Sequence, residues 1–138
     1  MKMPGRALAG RGFTLVEALG ACAMAAVLAG IALPVYQGQQ LKAHRVDAVA
    51  ALMRLQDAQE RAREGHGSYE SDLATLGVPA QSPAGLYTLR VERAGPERYR
   101  AVALAAGRQS ADSRCPQLTL EVAAGFAQTG PSAECWNR

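Results

Sequence analysis

The chain is poor in the residues from which metal centres and nucleophilic sites are built. It has two histidines, His44 and His66, and three cysteines in 138 residues. A structural zinc site needs four ligands at close spacing, and no such grouping is present. There is no nucleophile–base arrangement and no glycine-rich phosphate loop, which argues against an enzyme and implies no cofactor. No internal repeat or long low-complexity tract suggests an array or a tail. No acidic residue precedes Glu17, and from Ala18 to Tyr36 there is no charged side chain at all. The length leaves room for one small domain plus a membrane segment.

Charge is present but localised. The formal net charge is +3, from 15 basic and 12 acidic residues. Lys2, Arg6 and Arg11 account for the whole surplus, so removing residues 1–12 leaves a neutral chain. The basicity therefore belongs to a leader and does not by itself point to an acidic partner.

The uncharged stretch Ala18–Tyr36 has nineteen residues, close to the ~20 that a helix needs to cross a bilayer. Basic residues on its N-terminal side predict an orientation with the N-terminus inside and the rest of the chain outside. Between Gln37 and Glu64 the only helix breaker is Gly38. Leu41, Ala48, Leu52, Leu55 and Ala62 follow helical steps, with Ala58 at one edge and Val49 and Met53 widening the stripe. Arg45 and Gln59 interrupt it. Gly65-His66-Gly67-Ser68 predicts the helix stop. A helix from Phe13 to Glu64 would be about 75–80 Å long at 1.5 Å per residue, so its first half must find partners outside a domain of this size.

Residues 65–86 read as a connecting loop, with a short helical turn over Ser71–Leu76 capped by Ser71 and stopped by Gly77. Leu86–Glu92 and Tyr99–Val102 alternate apolar with polar and flank the turn signal Gly95-Pro96, as in a hairpin. Leu118–Val122 is a third strand and Gly125–Gln128 a short fourth. In an exported domain Cys115 and Cys135 read as one disulfide, leaving Cys22 in the apolar run.

Glu17 is the anomaly of the apolar segment, because a carboxylate on a membrane helix needs a reason or a partner. Cleavage between Gly12 and Phe13 would create an ammonium at Phe13, unfavourably placed at the positive end of its own helix. Glu17 of a neighbouring copy would neutralise it and set one axial offset between helices. Pro34 removes the amide that would bond the Gly30 carbonyl, so a kink or local unwinding is expected over Gly30–Pro34.

Gly12 followed by Phe13-Thr14-Leu15-Val16-Glu17, an apolar run and Pro34 resembles the class III signal of type IV prepilins. The resemblance implies cleavage after Gly12 by a prepilin peptidase, N-methylation of Phe13, and Glu17 as the assembly carboxylate. It implies an α+β pilin fold, with a long N-terminal helix packed on a small antiparallel sheet and a disulfide loop closed by Cys115 and Cys135. Gly67-Ser68-Tyr69, Leu73–Gly77 and the ending Cys135-Trp136 are similar to PilE-like minor pilins. The implied organisation is leader 1–12, membrane and assembly helix 13–36, amphipathic helix 37–64, connecting loop 65–86, and sheet with disulfide region 87–138. The implied partners are other pilin subunits, the peptidase and an inner-membrane assembly platform. The implied location is the inner membrane first and an extracellular pilus afterwards.

Other readings fit less of the sequence. An ordinary secretory signal would not need Glu17 directly before its core, and the helical pattern continues past any plausible cleavage site. Leu19-Gly20-Ala21-Cys22 has most of the apolar run after the cysteine, the wrong order for a lipoprotein box. A type II secretion pseudopilin shares residues 12–36 in kind, but the cysteine pair and the lack of a clustered acidic loop favour a pilus subunit. Arg90, Arg93, Arg98, Arg100, Arg108 and Arg114 raise the question of DNA capture. Glu92, Glu97, Asp112, Glu121 and Glu134 lie among them, and the balance favours a mixed solvated surface.

Overall fold

The structure, a computed structural model, describes residues 12–138. The basic positions of the expected leader, Lys2, Arg6 and Arg11, lie outside the described residues. The chain divides into two units, one ending at Tyr36 and the other running Gln37–Arg138. One helix, α1 (Leu15–His66), forms the described helical part of the first and opens the second.

In the first unit every side chain from Leu15 to Tyr36 is exposed. This is the one helix among the described residues that is long and apolar enough to span a bilayer. Helical geometry continues without a break through Gly30 and Pro34.

In the second unit α1 ends at His66, slightly beyond the expected Glu64. Gly67 takes φ +75° and donates its N–H to the Arg63 carbonyl (2.8 Å), a left-handed C-cap that glycine adopts without strain. A four-stranded antiparallel meander follows, in the order β1 (Tyr87–Gly95), β2 (Arg98–Ala105), β3 (Gln117–Ala123), β4 (Phe126–Gly130). All four expected strands are present. The alanine-rich end of β2 continues as strand to Ala105, three residues past Val102, because Ala103 and Ala105 pair with Leu89 and Tyr87 of β1. Short 3-10 turns at Gly107–Ala111 and Ala133–Trp136 had no periodic signal in the sequence.

The core lies between the buried stripe of α1 and one face of the sheet. Ala48, Leu52 and Leu55 pack with Leu89, Tyr99, Leu118, Leu120 and Val122. Small residues on both layers, Ala48 and Ala51 on the helix and Ala101 and Ala103 on β2, keep the layers close. Tyr69 and Tyr99 meet edge to face at 4.7 Å between ring centres. The disulfide Cys115–Cys135 closes the C-terminal end of this core, with Cα atoms 5.6 Å apart.

The connecting segment departs from expectation in one detail. Residues 71–77 form turns and no helix. The capping side chain is Asp72, not Ser71: its carboxylate accepts the N–H of Thr75 (3.0 Å) and that of Ala74 (3.4 Å). Further on, Ala80 accepts the Leu89 N–H (2.7 Å) and Ser82 donates its N–H to Tyr87 (2.9 Å), so this segment covers the start of β1's outer edge, Tyr87–Leu89.

Candidate functional site: the apolar helix and the polar pegs behind it

Gly12, Phe13 and Thr14 precede the first helical residue. Thr14 occupies the N-cap and Glu17 the third helical position. The Glu17 N–H donates to Thr14 Oγ1 (3.2 Å), and the Thr14 N–H donates to Glu17 Oε2 (3.1 Å). This reciprocal pair is a capping box, satisfying two of the amides that a helix start leaves open. The spacing Thr14-x-x-Glu17 is legible in the sequence, and the cap gives Glu17 an intrachain role beside the intermolecular one expected of it. Phe13 is 78 % exposed, and Leu15 and Val16 beside it are as open.

Where α1 joins the sheet, the two residues that interrupt its apolar stripe are buried. Gln59 is fully buried and clasps the backbone of Glu70, donating Nε2–H to its carbonyl (2.6 Å) and accepting its N–H (2.8 Å). Arg45 is 3 % exposed and holds Asp112 in a two-pronged grip, Nε to Oδ2 at 2.7 Å and Nη2 to Oδ1 at 2.9 Å. Its Nη1 also donates to the Glu134 carbonyl (3.3 Å), next to Cys135.

Asp112 accepts the Cys115 N–H as well (3.3 Å), and buried Gln109 donates Nε2–H to the Leu41 carbonyl (3.0 Å) and the Tyr87 hydroxyl (2.9 Å). His44 Nδ1 lies 3.3 Å from Gln109 Oε1, so it belongs to this network. Burial pushes the Asp112 carboxyl up, but the Arg45 guanidinium and the amides of Cys115 and Arg114 outweigh it and hold the group below the usual carboxylate range. The Arg45 guanidinium is pushed up, chiefly by its hydrogen bonds to Asp112. The disulfide region is thus pinned to α1 by a satisfied buried ion pair.

The six arginines of the sheet region divide by what they touch. Arg93 donates to the Tyr69 carbonyl (3.2 Å), Arg100 pairs with Glu121 (3.4 Å) and Arg114 with Glu134 (3.7 Å). Arg90, Arg98 and Arg108 are exposed, with no ion pair among the described residues. Cys22 is free and exposed on the apolar helix. Among the described residues no group of three or more His, Cys, Asp or Glu could hold a metal ion.

No curated protein matches the chain. The profile of a family described as "Type IV minor pilin ComP, DNA uptake sequence receptor" matches residues 34–119. That span is more than half of the chain and runs from Pro34 on α1 to Thr119 on β3, taking in the Arg45–Asp112 pair and Cys115. With a long N-terminal helix, a four-stranded antiparallel sheet and a C-terminal disulfide in place, the chain belongs to this family of type IV minor pilins.

Proposed function

We propose that this chain is made as a membrane prepilin, cleaved between Gly12 and Phe13, N-methylated at Phe13 and inserted into a type IV pilus through residues 13–36. The observation that carries this reading is the contrast between the units. The core is assembled entirely from residues of the second unit, while the whole Leu15–Tyr36 face stands exposed. An apolar helix this exposed needs a bilayer first and neighbouring helices afterwards. Glu17 then faces the Phe13 ammonium of a neighbour, and the Gly30–Pro34 segment loosens as subunits pack. The prepilin peptidase and an inner-membrane assembly platform are the partners of these steps. Replacing Gly12 by Leu tests the processing step: the variant is expected to keep its leader, stay in the membrane and be missing from sheared filaments. Normal incorporation of Gly12→Leu would refute it.

A second reading, DNA capture, is favoured by the family's printed description and by the three arginines left unpaired. It reverses the weight that the charge count placed on a plain solvated surface. Phosphate contacts from Arg90, Arg98 and Arg108 would make binding steeply salt-dependent. Replacing all three by Gln in the full chain in detergent should flatten the plot of log K against log salt by about 2.7, at ~0.9 per duplex phosphate contact. An unchanged slope would assign any binding to other residues, and absence of duplex binding by the native chain would remove this reading.

A further inference from the structure

In an antiparallel ladder the N–H and C=O of one residue point to the same side of the strand, and the side alternates along it. Ala105 donates its N–H to the Pro116 carbonyl (2.9 Å), on the β3 side, so odd-numbered β2 residues face β3. Carried across Ala101↔Leu120 and Glu121↔Gln128, this parity makes Phe126, Gln128 and Gly130 the β4 residues bonded to β3. The hairpin turn agrees. Ala124 and Gly125 both have positive φ (49° and 84°), as in the two-residue type I′ turn that closes on a bonded pair, here Ala123 and Phe126. The backbone groups of Ala127 and Thr129 therefore point off the open edge.

The two edges of this sheet are treated differently. The start of β1, Tyr87–Leu89, is covered by residues 80–82, and the rest of the strand carries Arg90, Glu92 and Arg93. Covering and charge are the usual guards against strand addition. Strand β4 has no charged residue, no described segment pairs with its edge, and Phe126 is 81 % exposed on its outer face.

We propose that β4 is a self-pairing edge: it adds to β4 of a second copy of this chain, antiparallel, about a two-fold axis through Gln128. The open-edge groups then match, Ala127 against the partner's Thr129 and Thr129 against the partner's Ala127, giving four backbone hydrogen bonds. Phe126 lies opposite the partner's half-buried Gly130, over which the Thr119 hydroxyl leans, so the ring meets both without opposing a side chain at the glycine itself, and the two Gln128 amides face each other. Charge favours a second copy over a charged peptide, because an uncharged strand offers such a peptide no ion pair and sets no like charges opposite each other on self-pairing. Five residues a side fall well short of the ~1,000 Å² that a stable interface buries, so one contact is weak and repetition strengthens it. A two-fold normal to the sheet reverses the part of α1 packed on it. Subunits of one filament all point the same way, so the pairing joins copies from two filaments, or copies outside one.

The test uses the full chain in detergent with Cys22→Ala, Gln128→Cys and the native disulfide verified by peptide mapping. Opposed Cβ atoms at a non-bonded pair lie ~4.5–5.5 Å apart, close enough for a disulfide to form with small adjustment. In a thiol–disulfide buffer this chain should form a covalent dimer, and the matching Phe126→Cys chain, whose thiol faces glycine, should stay monomeric. Adding Ala127→Glu and Thr129→Glu should abolish the dimer, and mixing that chain with one carrying Ala127→Lys and Thr129→Lys should restore it, which also shows that both variants fold. No dimer from Gln128→Cys, equal yields from both cysteine positions, or indifference to the charges would overturn the proposal.

Discussion

Glu17 accepts hydrogen bonds from the N–H and Oγ1 of Thr14 in the isolated chain, and the proposed filament asks it to face the Phe13 ammonium of a neighbour. The two roles separate by substitution. Thr14→Ala removes the cap and should leave filament incorporation near the native level. Glu17→Ala removes both and should abolish incorporation, read by immunoblotting of sheared filaments; equal effects would reduce Glu17 to a helix cap. Asp112 is the second residue whose role is specific. Asp112→Asn strips the buried Arg45 of its counter-charge and should cost about 3–5 kcal/mol in chemical denaturation at neutral pH. A carboxyl held below its unfolded value contributes stability that is complete above about pH 4 and drains away as pH falls toward the folded value. The native chain should therefore lose stability in that acid window, and the Asn variant should lose less there.

At the scale of elements, what was legible depended on whether one period served one purpose. The strands alternate because one face of the sheet is buried, and Leu118–Val122 could be read directly. The extension of β2 over alanines carried little alternation, since Ala103 is buried by position and not by size. On α1 the apolar stripe was readable, but Arg45 and Gln59 looked like flaws in it. Their partners, Asp112 and the Glu70 backbone, lie 67 and 11 residues away, and no local pattern announces such pairs. Met53, expected to widen the stripe, is exposed, whereas Ala51 is buried. Gln59→Leu should fill the same space yet orphan the Glu70 amide and carbonyl, costing about 1–3 kcal/mol. A denaturation midpoint equal to that of the native chain would show that solvent satisfies both groups.

For the molecule as a whole, the disulfide and the Arg45–Asp112 pair fasten the same end of the sheet region to α1. Cys115 and Cys135 are 20 residues apart, so removing the bridge by Cys115→Ser and Cys135→Ser should lower the stability of the Gln37–Arg138 unit by about 3 kcal/mol in the chain-entropy account. The loss should be larger when combined with Asp112→Asn than the separate losses suggest if the two fastenings support each other through the Cys115 amide. Neither change touches residues 13–36, so a subunit that still folds should still enter filaments. Division of labour between an apolar assembly helix and a self-sufficient head is the central claim, and it depends on removal of the leader. Mass spectrometry of this protein from sheared surface filaments tests it most directly. The expected chain begins at N-methylated Phe13 and has Cys115 linked to Cys135. A chain that keeps residues 1–12 and is confined to the inner membrane would contradict it.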